Sequence, residues 1–246
     1  MRLVVVNPNT TVSMTRKIGE AARAVAAPGT EIIAVNPAMG PASIEGYYDE
    51  AFSVPGLLAE IGKAQARGAD GFVIACFDDT GLEAARAAAS APVLGIGEAA
   101  FHVASLLAHR FTVITTLGRS IPAIETNLLK YGLERRCARV RAAEIPVLAL
   151  EEPGSNARQR IAAEIELAKR EDRAEAIVLG CAGMADLAAE LSRDHGLPVV
   201  DGVAAAVKLA ESLAALGLKT SKLGAYASPL AKTYTGMFAE FAPRAA

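Results

Sequence analysis

Charge of one sign is missing from this chain. Its 27 acidic residues nearly balance 25 basic ones, which excludes the broad basic footprint of a nucleic-acid binder. Long hydrophobic runs are missing too. No uninterrupted apolar stretch reaches the roughly 18 residues a membrane helix needs. The opening run Met1-Arg2-Leu3-Val4-Val5-Val6 breaks at Asn7-Pro8-Asn9, too early for the apolar core of a secretory signal. The expected location is therefore the cytoplasm, with no membrane partner and no nucleic acid. Tryptophan is absent and aromatics reach only 5%. Cysteine is scarce: three in 246 residues argue against a disulfide framework. The three histidines, His102, His109 and His195, show no metal-ligand spacing with those cysteines, so no metal is expected.

What is present is an ordinary α/β composition, 52% apolar and 21% charged, in a chain long enough to bury a sizeable core. β-rich runs near 2–6, 31–35, 71–75 and 92–95 alternate with Ala-rich stretches, and so do runs near 111–115, 139–143, 176–180 and 198–200. A last strand is expected near 222–226. Apolar periodicity predicts helices over Ser13–Val25, Val54–Arg67, Leu82–Ser90 and Arg158–Lys169. Strands alternating with helices imply parallel sheets with right-handed crossovers.

One offset recurs. Cys76 and Cys181 each end a strand-like run, 105 positions apart. The same offset relates Gly97-Glu98-Ala99-Ala100 to Gly202-Val203-Ala204-Ala205, and Thr10-Thr11 to Thr115-Thr116. This predicts a duplicated fold: two pseudo-symmetric, doubly wound parallel-sheet halves facing a central cleft. Residues 1–97 with 205–246 would form the first half, and 98–204 the second. No linker separates them, so the halves should pack intimately.

Ligands of open parallel sheets bind beyond the carboxyl ends of the strands. That edge receives Asn7 to Thr11, Asn36 to Tyr48, Cys76 to Asp79, Thr115 to Ser120 and Cys181 to Met184. A single cysteine is usually a small buried hydrophobe. Two equivalent ones at strand ends on opposite walls of a cleft are what two-base proton transfer requires. The backbone N–H groups that follow each are expected to lower its pKa and to hold charge building on a carbonyl. Cys137, within Glu134-Arg135-Arg136-Cys137-Ala138, lacks that setting and reads as structural.

The segment Asn7-Pro8-Asn9-Thr10-Thr11 suits a turn and helix cap as well as ligand contact. Ser43-Ile44-Glu45-Gly46-Tyr47-Tyr48-Asp49-Glu50 reads as a loop able to cover the cleft, or as solvated acids starting a helix. Asp78 and Asp79 read either as acids at a helix start or as orienters behind the thiols, and His102 as packed on its helix. Gly95-Ile96-Gly97-Glu98-Ala99-Ala100 matches a dinucleotide fingerprint, but no acidic residue ends the next strand, Phe111-Thr112-Val113-Ile114-Thr115, so the match is a decoy.

Several segments together resemble the hydantoin racemases of the cofactor-independent aspartate/glutamate racemase superfamily. They are Asn7-Pro8-Asn9-Thr10 with Met14-Thr15, Ser43-Ile44-Glu45-Gly46, Ala75-Cys76-Phe77-Asp78-Asp79, Ile114-Thr115-Thr116-Leu117, Val178-Leu179-Gly180-Cys181-Ala182-Gly183-Met184 and Val200-Asp201-Gly202. The likeness runs from residue 3 to about 228, and allantoin racemases share most of it. Thr80 and Gly118 depart from it, standing where relatives often carry proline. The resemblance implies Cys76 and Cys181 as the acid/base pair, no cofactor, and a small-molecule substrate inverted at C5 of a 5-monosubstituted hydantoin. Asn7, Ser43, Ile44, Thr115 and Thr116 would line the ring pocket, with backbone donors around Phe77, Asp78, Ala182 and Gly183. Allantoin racemase is the nearest alternative, followed by a cysteine-dependent decarboxylase or cis–trans isomerase. A non-catalytic two-lobed binding protein has no use for matched thiols. Exposed apolar helix faces point to a homo-oligomer.

Overall fold

Runs rich in Val and Ile become strands, and the Ala-rich stretches between them become helices. The computed structural model describes residues 1–152 and 154–243; residues 244–246, at the end of the span assigned to the first half, lie outside the described residues. One sheet contains β1 (Arg2–Val6), β2 (Glu31–Val35), β3 (Gly71–Ile74) and β4 (Val93–Gly95), ordered β2-β1-β3-β4. The other contains β5 (Phe111–Thr115), β6 (Cys137–Ala142), β7 (Ala176–Gly180) and β8 (Val199–Asp201), ordered β6-β5-β7-β8. All six pairings are parallel, so the two sheets share one topology. The helices are α1 (Val12–Val25), α2 (Tyr47–Ala66), α3 (Leu82–Ala88), α4 (Ile96–Leu107), α5 (Ile121–Lys130), α6 (Ala157–Leu167), α7 (Ala188–His195) and α8 (Gly202–Ala215).

Side-chain alternation along each strand builds three apolar layers. Val4, Val6, Phe72 and Ile74 face outward onto Leu57 and Ile61 of α2 and Leu82 of α3. Ile177 and Leu179 of the other sheet face Ile161 and Ile165 of α6 and Leu191 of α7. The opposite faces of both sheets, through Leu3, Val5, Val73, Val113 and Val178, meet α1, α4 and α8 in one shared core. Three phenylalanines, Phe77, Phe101 and Phe111, are buried there. The Phe101 ring on α4 lies edge-on to Phe77 with centroids 5.3 Å apart, and 6.2 Å from Phe111. A fully buried side chain of this kind contributes about 1.5–3 kcal/mol, so this core fixes how the sheets sit together. Gly202 permits a close crossing at its centre: a Cβ there would lie 2.5 Å from the Ile96 carbonyl oxygen.

Several expectations need correcting. No strand forms at 222–226. Gly224 adopts φ +65°, and a 3-10 turn spans Gly224–Tyr226. Lys222 Nζ bonds the carbonyls of Arg86 and Ala87, which pins the segment against α3 rather than along β4. Helix α2 begins at Tyr47, seven residues before the expected Val54. Pro55 looks like a helix start but lies inside the helix, so Tyr47 to Glu50 are its first turn and not a covering loop. His102 is exposed, not packed, with Nδ1 against the Glu98 carbonyl. The offset of 105 holds between the cysteines and is 106 between the starts of α4 and α8, but β1 and β5 start at Arg2 and Phe111, 109 apart. Thr115 and Thr116 therefore stand where Val6 and Asn7 stand, and their match to Thr10 and Thr11 is accidental.

Candidate active site

In each sheet the strand order reverses between its first and third strands, β1 and β3 or β5 and β7. Loops leave in opposite directions at such a point and open a crevice beyond the strand ends. The two crevices face one another and merge into a single cleft of about 430 Å³, counting its open mouth. Cys76 and Cys181 both line it, as do Asn7, Ile44, Phe77, Asp78, Thr115, Thr116 and Ala182. Of the residues expected from the sequence, Ser43 and Gly183 are not among those lining it. Gly183 instead sends its N–H to the Cys181 sulfur. Asn9, Met14, Ser120 and Val147 also line the cleft. Asn9 and Ser120 lie in the strand-end segments picked out above; Val147 carries no polar signal and follows a strand by five residues, so nothing local marks it.

The polar side chains are largely committed to one another. Asn7 Nδ2 donates to Asn9 Oδ1 (2.9 Å) and Thr15 Oγ1 (3.0 Å), so its role is to shape the turn after β1. Thr11 precedes α1 as expected, yet its hydroxyl bonds the Ala42 carbonyl at 2.7 Å, holding the segment that carries Ile44. Thr115 Oγ1 donates to the Gly180 carbonyl across the β5–β7 pair. The two halves are also bonded by Val147 N–H donating to Glu45 Oε1 (2.9 Å) and Ser13 Oγ to Glu151 Oε2 (2.6 Å).

The thiols hold their protons more tightly than the sequence suggests. Backbone donors are where they were expected: Asp78 N–H meets Cys76 and Gly183 N–H meets Cys181. Thr80 Oγ1 lies 3.3 Å from the Cys76 sulfur. Burial outweighs these, and the negative charge of Asp78 adds to it. Cys76 is pushed far above the usual thiol range, and Cys181 to about 11. Burial, then the charges of Glu50 and Asp79, pushes the Asp78 carboxyl up to about 7. The resting cleft thus holds two neutral thiols of unequal acidity beside a carboxyl that titrates near neutrality.

Cys137 sits at the opposite, amino end of its strand, with Sγ on the Arg139 carbonyl at 3.3 Å. The glycines of the decoy fingerprint have a different occupation. Asp79 fills the start of α4, accepting from the N–H groups of Gly97 (2.9 Å) and Glu98 (2.7 Å). A Cβ at Gly95 would collide with that carboxylate, and one at Gly97 with the Phe77 carbonyl, so a pyrophosphate has no room. Among the described residues no cluster of three His, Cys, Asp or Glu could hold a metal, and no helix is long and apolar enough to cross a membrane.

The arrangement puts two thiols in one cleft, and the chain that carries it is similar to several known proteins. An Allantoin racemase from Klebsiella pneumoniae superposes with a TM-score of 0.97 at 50% identity, covering 99% of this chain and all of that one. The Hydantoin racemase of Rhizobium meliloti is 53% identical over 96% of this chain and 98% of its own length. Arylmalonate decarboxylase shares the fold, with a TM-score of 0.60 at 19% identity over 92% of this chain and 97% of that one. The family described as Asp/Glu/Hydantoin racemase matches residues 3–210, and the chain belongs to it.

Proposed function

We propose that this protein is a cofactor-independent racemase that inverts C5 of 5-monosubstituted hydantoins by two-base proton transfer between Cys76 and Cys181. The observation that carries this reading is the placement of both thiols in one cleft, each at the end of an equivalent central strand. One sulfur, as thiolate, removes the C5 proton. The electron pair moves onto the adjacent ring carbonyl, where the N–H groups of Phe77 and Ala182 hold the growing charge. The other sulfur, as thiol, delivers its proton to the opposite face of C5 and is left as the thiolate. Each turnover exchanges the roles of the two groups, and reversal runs the other enantiomer back. Asn7 supports the pocket through its turn, Ile44, Thr115 and Thr116 contact the ring from the walls, and Ser43 and Gly183 act from behind Ile44 and Cys181. The three free thiols suit the reducing cytoplasm.

One observation favours allantoin, a hydantoin with a ureido group at C5, as a second substrate. The Asp78 carboxyl lines the cleft, and Glu50, close enough for its charge to act on Asp78, has an Oε1 that is buried without a hydrogen-bond partner. Ureido N–H groups are the donors such acceptors lack. The mechanism is unchanged.

We also propose a homo-oligomer. Beyond Lys222 the chain runs over the surface with Leu223, Leu230 and Met237 each about four-fifths exposed, an apolar display that association between copies would cover.

Replacing either Cys76 or Cys181 by Ser lowers kcat for racemisation by about 10²–10⁴-fold; full turnover in both single variants would overturn the two-thiol assignment. Because burial keeps both protons on at neutrality, kcat/KM rises with pH from about 7 to about 10, toward the Cys181 value of about 11. A flat or falling profile over that range would contradict the resting state described. Asp78→Asn lowers kcat/KM for allantoin about 10–100-fold more than for 5-methylhydantoin, the size of a hydrogen bond to a charged group. Equal losses would remove Asp78 from substituent recognition. Sedimentation at micromolar concentration reads a multiple of 25.4 kDa; the mass of one chain would overturn the oligomer.

A further inference from the structure

The two thiols are not supported alike. Both loops carry the same closing bond, Met184 N–H to the Cys181 carbonyl and Asp79 N–H to the Cys76 carbonyl, each 3.1 Å, and the former continues as a 3-10 turn over Ala182–Leu187. The loop after Cys76 is held from the other half of the molecule. Asp79, three residues on, is only 6% exposed and sits at φ +50°, a left-handed conformation that costs a non-glycine residue energy and persists where surroundings enforce it. Its carboxylate takes the two N–H groups at the start of α4 and also the Tyr131 hydroxyl at 2.8 Å. Tyr131 ends α5. One turn earlier on α5, Asn127 Nδ2 donates to the Asp78 carbonyl at 2.8 Å. Residues four apart share a helix face, so a single face of α5 grips two consecutive residues of the Cys76 loop.

The place of α5 gives these bonds their meaning. It connects β5 to β6 and packs on β6, in the sheet whose β7 carries Cys181. Position 184, which the 105-residue repeat pairs with Asp79, is Met184, buried in apolar surroundings. Across the cleft α8 is capped by its own Asp201, which accepts from Val203 and Ala204 N–H. The Cys181 loop is tied across by an ion pair, Lys17 Nζ of α1 to Asp186 Oδ1 at 3.0 Å, five residues past the thiol. The α5 grip starts only two residues past Cys76 and ties the first thiol to the body that carries the second.

We propose that Tyr131 and Asn127, acting through Asp79 and the Asp78 carbonyl, are positioning residues that hold Cys76 at working distance across the cleft from Cys181. This rests on the two-thiol reading above. A misplacement near 1 Å can cost on the order of 10²-fold in rate. Loss of the grip displaces Cys76 and leaves Cys181 in place, because the bonds of Tyr131 and Asn127 go to the residues that follow Cys76.

The test is proton exchange at C5 in deuterated water, on each enantiomer of 5-methylhydantoin separately, with wild-type protein, Tyr131→Phe and Asn127→Ala. Deuterium is measured at early times in the inverted product and in the unconverted substrate. Wild-type protein labels the product and leaves unconverted substrate nearly unlabelled. In each variant racemisation falls by roughly tenfold or more, and label washes into the unconverted form of one enantiomer only. That is the enantiomer whose proton Cys181 removes: Cys181 abstracts it, exchanges it with solvent and returns deuterium to the same face, while the displaced Cys76 fails to protonate the other. The enantiomer that Cys76 must deprotonate shows neither inversion nor wash-in. A uniform fall with no wash-in on either enantiomer, as general destabilisation would give, overturns the proposal, and so does an unchanged rate in both variants. If one variant fails to fold, the other decides by the same readout. Absence of C5 exchange with the wild-type protein would instead remove the two-thiol reading itself.

Discussion

The two sheets depend on one apolar layer that they share. Leu3, Val5 and Val73 from one sheet and Val113 and Val178 from the other are buried against α1, α4 and α8, with Phe101 at the junction between Phe77 and Phe111. Each sheet has one face covered by its own outer helices. The other is covered by α1 and α8 on the first sheet and by α4 on the second, and these helices pack on one another. Because interiors are close-packed, the shared layer sets the relation of the sheets with little play. The carboxyl ends of β3 and β7 then open into one cleft, and a thiol at each end becomes one wall of a common site.

That same burial shapes the chemistry. A thiol in a polar loop would ionise readily; here desolvation keeps both protons in place, even with a backbone N–H aimed at each sulfur. In the proposed two-base transfer each sulfur acts as acid in one direction and as base in the other, so neither protonation state can be favoured permanently. The cleft sets opposed influences on the thiols: burial and the Asp78 charge raise and prevail at rest, while hydrogen bonds from Asp78 N–H, Thr80 and Gly183 N–H lower. The rise at Cys76 comes first from burial and then from the charge of Asp78.

Much of this was legible in the sequence. Strand ends at Ile74 and Gly180, the cysteines just beyond them, and the topology were readable because Val- and Ile-rich runs alternate with Ala-rich periodic stretches. Local pattern fails where tertiary contact decides. Pro55 reads as a helix start, yet α2 runs through it. The run near 222–226 has strand-like residues, but Lys222 finds carbonyls at the end of α3 first. Asp79 is visible as an acid before a helix, but the helix it caps is α4, not the α3 that follows it, and its Tyr131 partner lies 52 positions away. Val147 reaches the cleft only because Glu45 holds its N–H from the other half. The net acidity of the thiols is a property of burial, which residue spacing does not carry.

The account rests on two groups acting from opposite faces of one carbon, and the most direct measurement is the fate of the C5 proton. A single enantiomer of a 5-alkyl hydantoin is turned over by the unmodified protein in deuterated water, and optical rotation and label are followed together. The account predicts that rotation decays to zero with one deuterium at C5 in every molecule of newly formed antipode, from either starting enantiomer. Inversion that retains the original proton would mean that a single group carries it between faces and would contradict the two-thiol mechanism.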